Sequence, residues 1–524
     1  MTKPATAAAL LSIGILLAAL GHEARPCTSI MVGRKASADG SVMTSHTCDS
    51  HRDGSEIVVV PRLKHKLGSE VLLTRRRDDD SGPMPRYART PTGSIPQVAE
   101  TLGCIAPVYA VMNERQVAIG ESTFDGRKEL ESDKGLIDCE TLTRLMLARA
   151  TTAREAIRIG GEVLEKYGWC DVGEALTIAD PQEVWLMEII GPGKGLVGAV
   201  WAAQRVPDDH VSVVANASRI GQIDLAKPDF FMASGNVFKV AQERGYWDPK
   251  GGQPFRFYEA YNPDGRTSFA ATRREWRVLD LLAPSLKLEP NGNVFPFSVK
   301  PEKPVRPEKI MEIFRDTFEG TDFDVVKDLT VTNEEGKTVK SPLANPFMPY
   351  DMNKLLKING GWGWRGERPL ARWYCMYATV TQSRSWLPDA VGGIVWFGYA
   401  NPATTVYVPM YAGITDLPED YKTDGRTTGF SRRSAWWAFK RVATIAAHRW
   451  GDMRVDVAGV RDPLQEKLLA AQTEIAQTAA KLVKDNPAEA RAYLTRKTAE
   501  ACAAATGAYW SLGDLLWMKY DEKW

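Results

Sequence analysis

Three side chains near the beginning of the chain carry groups suited to acyl transfer: a thiol at Cys27, an imidazole at His46 and a carboxylate at Asp49. Cys27 opens the β-forming run CTSIMVG, and SVMTSH resumes this character after the turn signal SADG. Folding this hairpin back places Cys27 opposite residues about 48–52, so the three groups are expected at one end of it. Acyl transfer needs a thiolate, a base and donors for the oxyanion. The hairpin therefore predicts a nucleophilic site at Cys27.

The base for this thiol need not be a second side chain. If residues 1–26 are removed, Cys27 gains a free α-amino group within reach of its own thiol, and such an amine has an ordinary pKa of about 8. No Ser/His/Asp spacing competes with this interpretation. On the hairpin alone, an ordinary buried or disulfide-bonded Cys27 is the alternative. The residues ARP before Cys27 disfavour a lipidated cysteine.

The segment before Cys27, residues 1–26, has the form of a secretory signal peptide with a short pro-segment. Lys3 precedes an apolar run from Ala5 to Leu20, and small residues follow it. The run is shorter than the ~20 residues that a membrane span needs, so we expect no stable membrane anchor; an uncleaved anchor is the alternative. We expect an exported protein, periplasmic or extracellular. Signal peptidase favours small residues before its cut, so Pro26 indicates a second cleavage, for which the enzyme itself is a candidate.

Composition excludes several classes of function. The 524 residues carry 66 Lys and Arg against 65 Asp and Glu, so charge gives no reason to expect nucleic acid or an acidic membrane as a partner. The sequence has no His-Glu-x-x-His, no metal-ligand spacing and no Gly-rich phosphate loop, and we expect neither a metal nor a cofactor. The expected partner is a short peptide substrate, and a homo-oligomer is left open. Seven cysteines leave at least one unpaired; the other six allow 15 pairings, and reduced buried thiols are equally compatible.

Five stretches, in the same order, resemble the C69 dipeptidases, which are cysteine members of the N-terminal nucleophile hydrolases. The first is the hairpin itself, where CTS, VGRKAS and DGS match the family's pattern. One such stretch is weak evidence, but five in order are strong. The others, which with the first cover most of residues 27–415, are NERQVAIGESTFDGR from Asn113, GEALTIADPQEVWLMEIIG from Gly173, ANASRI from Ala215 and QSRSWLPDAVGG from Gln382.

The resemblance implies an α+β fold, a four-layer αββα sandwich, and hydrolysis of dipeptides. It implies that Asp49 holds the α-amino group of Cys27 and that the amide of Asn113 donates to the oxyanion. His46 stands where many members have an arginine, because they read ARNEDS where this chain reads SHTCDS. An imidazole donates a hydrogen bond without being charged near neutral pH, so how the thiolate is stabilised stays open. Packing for His46 and a turn cap for Asn113 are the structural alternatives.

Three further residues are candidates for substrate binding. Asn216 ends a strand in VVANASRI and is a candidate for contact with the amine or the substrate. Arg274 and Arg277 belong to RREWR, which is similar to an Arg-x-x-Arg near the site of related acylases. The sequence does not decide which arginine enters the pocket, and a solvated helix face is the alternative for both. A stretch rich in Trp, Gly and Arg at 359–373 is a candidate pocket wall or a packed loop.

The pattern along the chain predicts one peptidase domain over residues 27–460. Residues 286–345 are rich in Pro, Glu, Lys and Asp, apart from a short helical PEKIMEIFRDTF, and are predicted to form an insertion or lid beside the cleft. Residues 461–524 have helical periodicity interrupted at Asn486-Pro487, which predicts a C-terminal helical hairpin packed on the core.

Two classes of function follow from these residues. The first is a secreted cysteine peptidase that hydrolyses dipeptides through an acyl-enzyme on Cys27, with an amidase or acylase of the same fold as a close alternative. The second is a non-catalytic secreted protein that binds a peptide or glycan and in which Cys27 is structural. The two classes differ in whether Cys27→Ala abolishes turnover.

Overall fold

The computed structural model describes residues 27–50, 53–79, 86–347 and 367–523. The predicted leader, residues 1–26, and residues 359–366 of the Trp-rich stretch lie outside these ranges. The described chain combines helices with several sheets, so the predicted α+β class is confirmed.

The strands are short to medium in length and are distributed along the chain up to residue 411. In chain order they are β1 Ser29–Val32, β2 Met43–Asp49, β3 Val58–Val60, β4 Leu63–Lys64, β5 Glu70–Asp79, β6 Arg86–Pro96, β7 Glu100–Thr101, β8 Cys104–Ala106, β9 Met112–Asn113, β10 Ala118–Thr123, β11 Glu174–Ala179, β12 Val184–Ile190, β13 Val200–Val206, β14 Val211–Val214, β15 Phe231–Ala233, β16 Ser298–Val299, β17 Thr330–Thr332, β18 Thr338–Lys340, β19 Cys375–Gln382, β20 Ile394–Tyr399 and β21 Val408–Tyr411.

The helices lie between the strands and, after residue 418, follow one another to the end of the chain. In chain order they are α1 Cys139–Arg149, α2 Ala153–Tyr167, α3 Val237–Glu243, α4 Phe257–Tyr261, α5 Phe269–Leu282, α6 Pro307–Phe314, α7 Asp389–Gly392, α8 Glu419–Lys422, α9 Ala435–His448, α10 Trp450–Ala470, α11 Gln472–Asp485 and α12 Pro487–Lys519.

Two large antiparallel sheets form the centre of the part of the chain that the structure describes. One has seven strands in the order β16-β14-β1-β2-β19-β20-β21, and the other has eight in the order β15-β13-β12-β11-β10-β9-β8-β3. They pack face to face, with β1 and β2 against β10 and β11. Every residue of β2, β11, β12 and β19 is buried, which requires cover on both faces of each sheet.

Helices supply the outer cover. The pair α1 and α2 packs on the eight-stranded sheet, whose other face already meets the seven-stranded sheet. On the seven-stranded sheet, α5 packs on β14, α6 on β2 and β19, α9 on β20, and α12 on β21. Helices therefore cover the outside of both sheets, and β2 and β10, which carry the candidate site, face each other between the two sheets.

The first hairpin, β1–β2, has the predicted form. Val32 lies opposite Met43, and Thr28 forms a bridge with Thr47, so Cys27 is directed to the level of Cys48. Asp39 stabilises the turn, because its carboxylate accepts hydrogen bonds from the N–H of Ser41 at 3.0 Å and from its hydroxyl at 2.6 Å. The predicted hairpin is confirmed, with a register at the near edge of the expected range.

Segment 286–345, predicted to be an insertion or lid, is partly built into the core. It contributes β16 to the edge of the seven-stranded sheet and α6 to the outer cover, while β17 and β18 form a separate two-stranded sheet. The boundary predicted at residue 460 falls inside α10, which continues to Ala470. The predicted helix break is confirmed: Asn486 caps α12 by accepting a hydrogen bond from the N–H of Glu489, and Pro487 occupies the first helical position.

All seven cysteines lie in the described ranges, and none of them forms a disulfide bond there. Six of the seven are buried, and Cys170 is partly exposed. Among the described residues, none of the helices combines the length and apolar character that crossing a membrane requires.

Gly120 on β10 allows the two sheets to approach where the candidate site lies. A Cβ atom built at this position would stand 2.5 Å from the carbonyl oxygen of Ser45, 2.7 Å from the hydroxyl of Thr177 and 3.3 Å from the Cβ of His46. The first two distances are below any normal contact, and two of the three atoms belong to β2. Only glycine therefore fits between β10 and β2 at the present sheet spacing.

Gly120→Ala is expected to lower the free energy of unfolding by about 1–3 kcal/mol, because the added methyl overpacks the sheet interface. The measurement is chemical denaturation of both proteins. Gly459→Ala, on α10, is the matched control, since a Cβ at this position would have no neighbouring atom within 4 Å. This substitution is expected to raise the free energy of unfolding by about 0.5–1 kcal/mol. Equal effects of the two substitutions would contradict the sheet-contact explanation.

Candidate active site

Cys27 lies just before β1, where the first hairpin meets the eight-stranded sheet. Its side chain is 1% exposed, and its thiol donates a hydrogen bond to Oε1 of Glu121 at 3.0 Å. Thr28 fixes the adjoining backbone, because its N–H donates to the hydroxyl of Thr47 and its carbonyl accepts from the N–H of Thr47, each at 3.0 Å. The thiol is thus held between the two sheets by groups from β2 and β10.

Arg274, on α5, holds the carbonyl side of Cys27. One terminal nitrogen donates to the carbonyl oxygen of Cys27 and to the hydroxyl of Thr28, both at 2.8 Å. The other donates to the carbonyl of Ala215 at 3.1 Å and to Oδ1 of Asn216 at 2.8 Å. Arg274 is 1% exposed, so this one side chain joins β1 to the end of β14 within the protein interior.

Arg277, one turn further along α5, does not contact Cys27. Its guanidinium pairs with Asp316, with a shortest distance of 2.8 Å, and also approaches Asp280 at 3.4 Å. Of the two arginines that the sequence left undecided, Arg274 is the one that contacts the nucleophile candidate.

His46 lies on β2 and faces Glu121. Its Nδ1 is 2.9 Å from the carbonyl oxygen of Glu121, and because a carbonyl only accepts, Nδ1 carries the hydrogen. Its Nε2 lies 3.6 Å from Oε1 of the same residue. The rings of Tyr109 and Tyr377 approach it edge-on, with centroids 6.0 and 5.5 Å away. Burial lowers the pKa of His46 to about 4, so its imidazole is neutral at physiological pH.

Asp49 ends β2 and is 1% exposed. Its Oδ2 accepts a hydrogen bond from Arg368 at 2.5 Å, whereas Oδ1 is buried and has no hydrogen-bond partner among the described residues. Burial raises the pKa of Asp49, and the charge of Arg368, a hydrogen bond with the thiol of Cys375 and the charges of Arg274 and Arg372 oppose that rise. One carboxylate oxygen is therefore anchored by a cation, while no described N–H or O–H group donates to the other.

Asn216 follows β14 in the left-handed region, with φ of 61°. Its N–H donates to the hydroxyl of Ser122 at 2.9 Å, and its Nδ2 donates to the carbonyl of Thr123 at 2.5 Å. Its Oδ1 accepts from Arg274 at 2.8 Å and from Arg368 at 3.3 Å. Asn216 therefore joins β10 to both arginines and is brought to the same site as Cys27 and Asp49.

Asn113 is fully buried, and its amide serves the fold. Its Nδ2 donates to the carbonyls of Leu147 and Ala150, each at 2.8 Å, at the end of α1. Its Oδ1 accepts from the N–H groups of Arg115 at 2.9 Å and Val117 at 3.0 Å. These contacts close the turn between β9 and β10, as the turn-cap alternative expects.

The strand geometry also separates Asn113 from the nucleophile candidate. Met112, the neighbour of Asn113, pairs with Ala118, and Glu121 lies three residues further along β10. At ~3.3 Å per residue, roughly 10 Å of strand lies between them. The structure does not bring Asn113 together with Cys27.

The surroundings of the thiol keep it protonated. Burial, followed by the charge of Glu121, raises the pKa of Cys27 well above its usual range, and the charge of Asp49 acts in the same direction. A neutral thiol is a poor nucleophile, so nucleophilic chemistry at Cys27 requires a base that removes its proton. The arrangement is suited to acyl transfer once such a base is supplied.

A second buried carboxylate lies behind the first. Glu174, on β11, accepts hydrogen bonds from the hydroxyl of Thr123 at 3.0 Å and from the N–H of Ser122 at 3.1 Å. Burial, and then the charge of Glu121, raises the pKa of Glu174 well above its usual range. Two adjacent buried carboxylates repel each other when both are charged, so ionisation of Glu174 is disfavoured.

Two residues at the site, Glu121 and Arg368, were not singled out from the sequence. Glu121 had a usable signal, since a carboxylate within AIGEST interrupts a strand in which every position is buried. Arg368 lies within the stretch at 359–373 that the sequence offered as a candidate pocket wall, but it belongs to no strand or helix, so no periodicity indicates the direction of its side chain.

Potential metal ligands also converge at this point. The Sγ of Cys27, a ring nitrogen of His46 and a carboxylate oxygen of Glu121 all lie within 4.8 Å of one another. Their positions in the chain have no metal-ligand spacing, because the three residues come from two different sheets. The expectation that the protein uses no metal cofactor stays a prediction.

The fold and this constellation agree with a comparison of the sequence with known families. Residues 26–462 match the profile of peptidase family C69, which is most of the chain, and the chain belongs to this family. The resemblance seen in the five sequence stretches is thereby confirmed.

Several curated relatives are similar over nearly their full length. A protein of Latilactobacillus sakei named "Probable dipeptidase" is 26% identical over 492 residues, which are 91% of this chain and 92% of the relative. A protein of the same name from Salmonella dublin is 26% identical over 432 residues, 78% of this chain and 88% of the relative. "Probable dipeptidase B" of Streptococcus pyogenes serotype M1 is 23% identical over 476 residues, 89% of this chain and 87% of the relative.

Asn113→Ala is expected to lower the free energy of unfolding by about 3 kcal/mol or more, because it leaves several buried backbone groups without a partner at about 1–3 kcal/mol each. Asn486→Ala, which removes a single capping bond from α12, is the matched comparison and is expected to cost about 1 kcal/mol. Chemical denaturation measures both. A cost for Asn113→Ala no larger than that for Asn486→Ala would contradict the structural role.

Proposed function

We propose that the protein is a dipeptidase that hydrolyses the peptide bond of dipeptides through an acyl-enzyme on Cys27. The observation that carries this proposal is the position of Cys27: its thiol is held between the two sheets, close enough to Asp49 for the charge of that carboxylate to act on it. The names of the relatives supply the substrate class, and membership of peptidase family C69 supplies the class of reaction.

The proposed fold family is that of the N-terminal nucleophile hydrolases, with a four-layer αββα sandwich. Face-to-face packing of β1 and β2 on β10 and β11 supports it, as do the helices on the outer face of each sheet. In this proposal residues 1–26 are a secretory leader with a short pro-segment, and the mature chain begins at Cys27. The protein is exported to the periplasm or beyond the cell. The apolar run from Ala5 to Leu20 supports the export step.

Removal of residues 1–26 supplies the base that the buried thiol lacks. The new α-amine of Cys27 takes the thiol proton, and the thiolate attacks the carbonyl carbon of the dipeptide. The resulting ammonium is stabilised by Asp49, whose Oδ1 is buried without a hydrogen-bond partner in the described part of the chain. The ammonium then protonates the departing amino acid as the C–N bond breaks, which leaves a thioester on Cys27.

The second half of the reaction uses the same groups in reverse. The free amine takes a proton from water, and the hydroxide attacks the thioester carbonyl. The S–C bond breaks, the carboxylic acid product leaves, and the proton returns to the thiolate of Cys27. No outside oxidant, reductant or metal enters this balance.

The charges near Asp49 suit a substrate that carries a carboxylate. Arg274, Arg368 and Arg372 all act electrostatically on this one acidic side chain. Three guanidinium groups therefore act on a single carboxylate here, and they would attract the free carboxylate that a dipeptide brings. This observation supports a dipeptide over an uncharged amide.

Cys27→Ala and Cys27→Ser are each expected to reduce kcat/KM for dipeptides by at least about 10³-fold, because no other nucleophile replaces the thiolate. The assay is release of free amino acids from a dipeptide panel by the purified protein, with its amino terminus established by intact mass. Cys502→Ser, at a buried cysteine on α12, is the matched control and is expected to retain activity.

The same assay tests the alternatives. Full turnover by Cys27→Ala would overturn the nucleophile assignment. Binding of peptides without any turnover by a chain that begins at Cys27 would favour the non-catalytic binding protein. Cleavage of N-acyl amino acids but not dipeptides would favour the acylase.

Asp49→Asn is expected to lower kcat by about 10²-fold with a smaller change in KM, because a neutral amide no longer stabilises the ammonium that forms during both half-reactions. Steady-state kinetics on the same dipeptides measure it. Asp53→Asn is the control, since Asp53 is also buried near β2 but pairs with Arg76. Equal losses of kcat in the two variants would indicate a structural rather than a catalytic effect.

A further inference from the structure

We propose that Cys27, His46 and Glu121 form a binding site for a thiophilic divalent cation of the zinc type, and that the bound ion inhibits the enzyme by occupying its nucleophile. The binding step rests on geometry alone, and only the inhibition rests on the proposed function. The three side chains offer sulfur, nitrogen and oxygen, the ligand set that Zn²⁺ prefers in proteins.

The distances are close to those of a tetrahedral centre. With metal–ligand bonds of about 2.0–2.3 Å, the ligand atoms of a tetrahedral zinc site lie about 3.3–3.6 Å apart. Here the Sγ of Cys27 is 3.0 Å and the Nε2 of His46 is 3.6 Å from Oε1 of Glu121. All three ligand atoms lie within 4.8 Å of one another.

The imidazole is already arranged as a ligand. Nδ1 of His46 donates to the carbonyl oxygen of Glu121, so the lone pair lies on Nε2. Metal-ligating histidines characteristically donate their other ring N–H to a carbonyl or carboxylate in this way. His46 is only 1% exposed, and its Nε2 makes no hydrogen bond to any described residue. The lone pair of Nε2 is therefore buried and unpartnered beside the carboxylate of Glu121 and the thiol of Cys27.

The charge balance also favours a divalent cation. Binding displaces the thiol proton to water and leaves a thiolate and a carboxylate, whose two negative charges the ion neutralises inside the protein. Three protein ligands leave a fourth position. In a chain that begins at Cys27, the α-amine can fill it, since the nitrogen and sulfur of one cysteine close a five-membered chelate ring. The ion then blocks both the nucleophile and its base.

Titration of the chelator-treated protein with Co²⁺, a spectroscopic substitute for zinc, tests the site. One equivalent is expected to produce the thiolate-to-cobalt charge-transfer absorption. Cys27→Ser is expected to abolish the band, and His46→Gln and Glu121→Gln to weaken the apparent affinity by about tenfold or more. Cys502→Ser and His65→Gln are the matched controls and are expected to leave the band unchanged. Absence of the band, or its persistence in Cys27→Ser, would overturn the proposal.

A measurement on the unsubstituted protein covers variants that do not fold. Stoichiometric Zn²⁺ is expected to protect Cys27 from alkylation by at least about tenfold, as measured by peptide mass mapping, and to raise the melting temperature. Equal alkylation with and without Zn²⁺ would overturn the site.

Dipeptide hydrolysis separates this inference from the proposed function. We expect the chelator-treated protein to hydrolyse dipeptides and Zn²⁺ to suppress that activity. Activity in the chelated protein without Co²⁺ binding would overturn the metal site and leave the function intact. Co²⁺ binding at Cys27 without hydrolysis under either condition would leave the metal site and overturn the function.

Discussion

The contact between the first hairpin and Glu121 is the interaction on which the rest of the site depends. The backbone carbonyl of Glu121 accepts hydrogen bonds from the hydroxyl of Ser29 and from Nδ1 of His46, both at 2.9 Å, while its carboxylate accepts the thiol of Cys27. One residue of the eight-stranded sheet thus binds both strands of the hairpin. Gly120, its neighbour, keeps the sheets close enough for these bonds. The distance between the two sheets consequently sets the distances between the side chains of the site.

Acidic and basic side chains both surround Cys27. Glu121 and Glu174 lie on the side of the eight-stranded sheet, whereas Arg274 and Arg368 lie on the side of Asp49. Both groups are buried, so the field between them is weakly screened. The charges of Glu121 and Asp49 disfavour a thiolate at Cys27, whereas the charge of Arg274 favours it. The protonation state of the Cys27 thiol is therefore sensitive to any further charge placed beside it, such as that of an α-ammonium group.

Much of the fold was accessible from the sequence because it rests on local signals. The hairpin followed from alternating β-formers around SADG, and the break before α12 followed from an Asn-Pro pair at a helix start. In segment 286–345 the helical pattern of PEKIMEIFRDTF indicated α6, but the surrounding polar composition gave no sign of the two-residue edge strand β16. A strand this short carries no periodicity, and its place in the sheet depends on β14.

The residues of the site also differ in whether local sequence patterns predict their position. Cys27, His46 and Asp49 were predictable together because one hairpin aligns them, whereas Glu121 and Arg368 reach them only through the packing of distant segments. Asn113 shows the converse case. Its Asn-Glu turn fits a site motif, yet which groups its amide contacts is decided by where α1 ends, and no local pattern encodes that position.

The bonds to the carbonyl of Cys27 have a consequence for a chain that begins there. The first residues of most domains fray, because nothing precedes them and little holds them. Here Arg274 and Ser122 hold the carbonyl of residue 27, and Thr47 holds the next residue from both sides. Cleavage of the bond before Cys27 would thus create a new amino terminus that remains held in place by these hydrogen bonds. The conformational entropy that a flexible terminus loses when it becomes ordered would already have been lost during folding. Substrate binding would therefore not have to order the nucleophile.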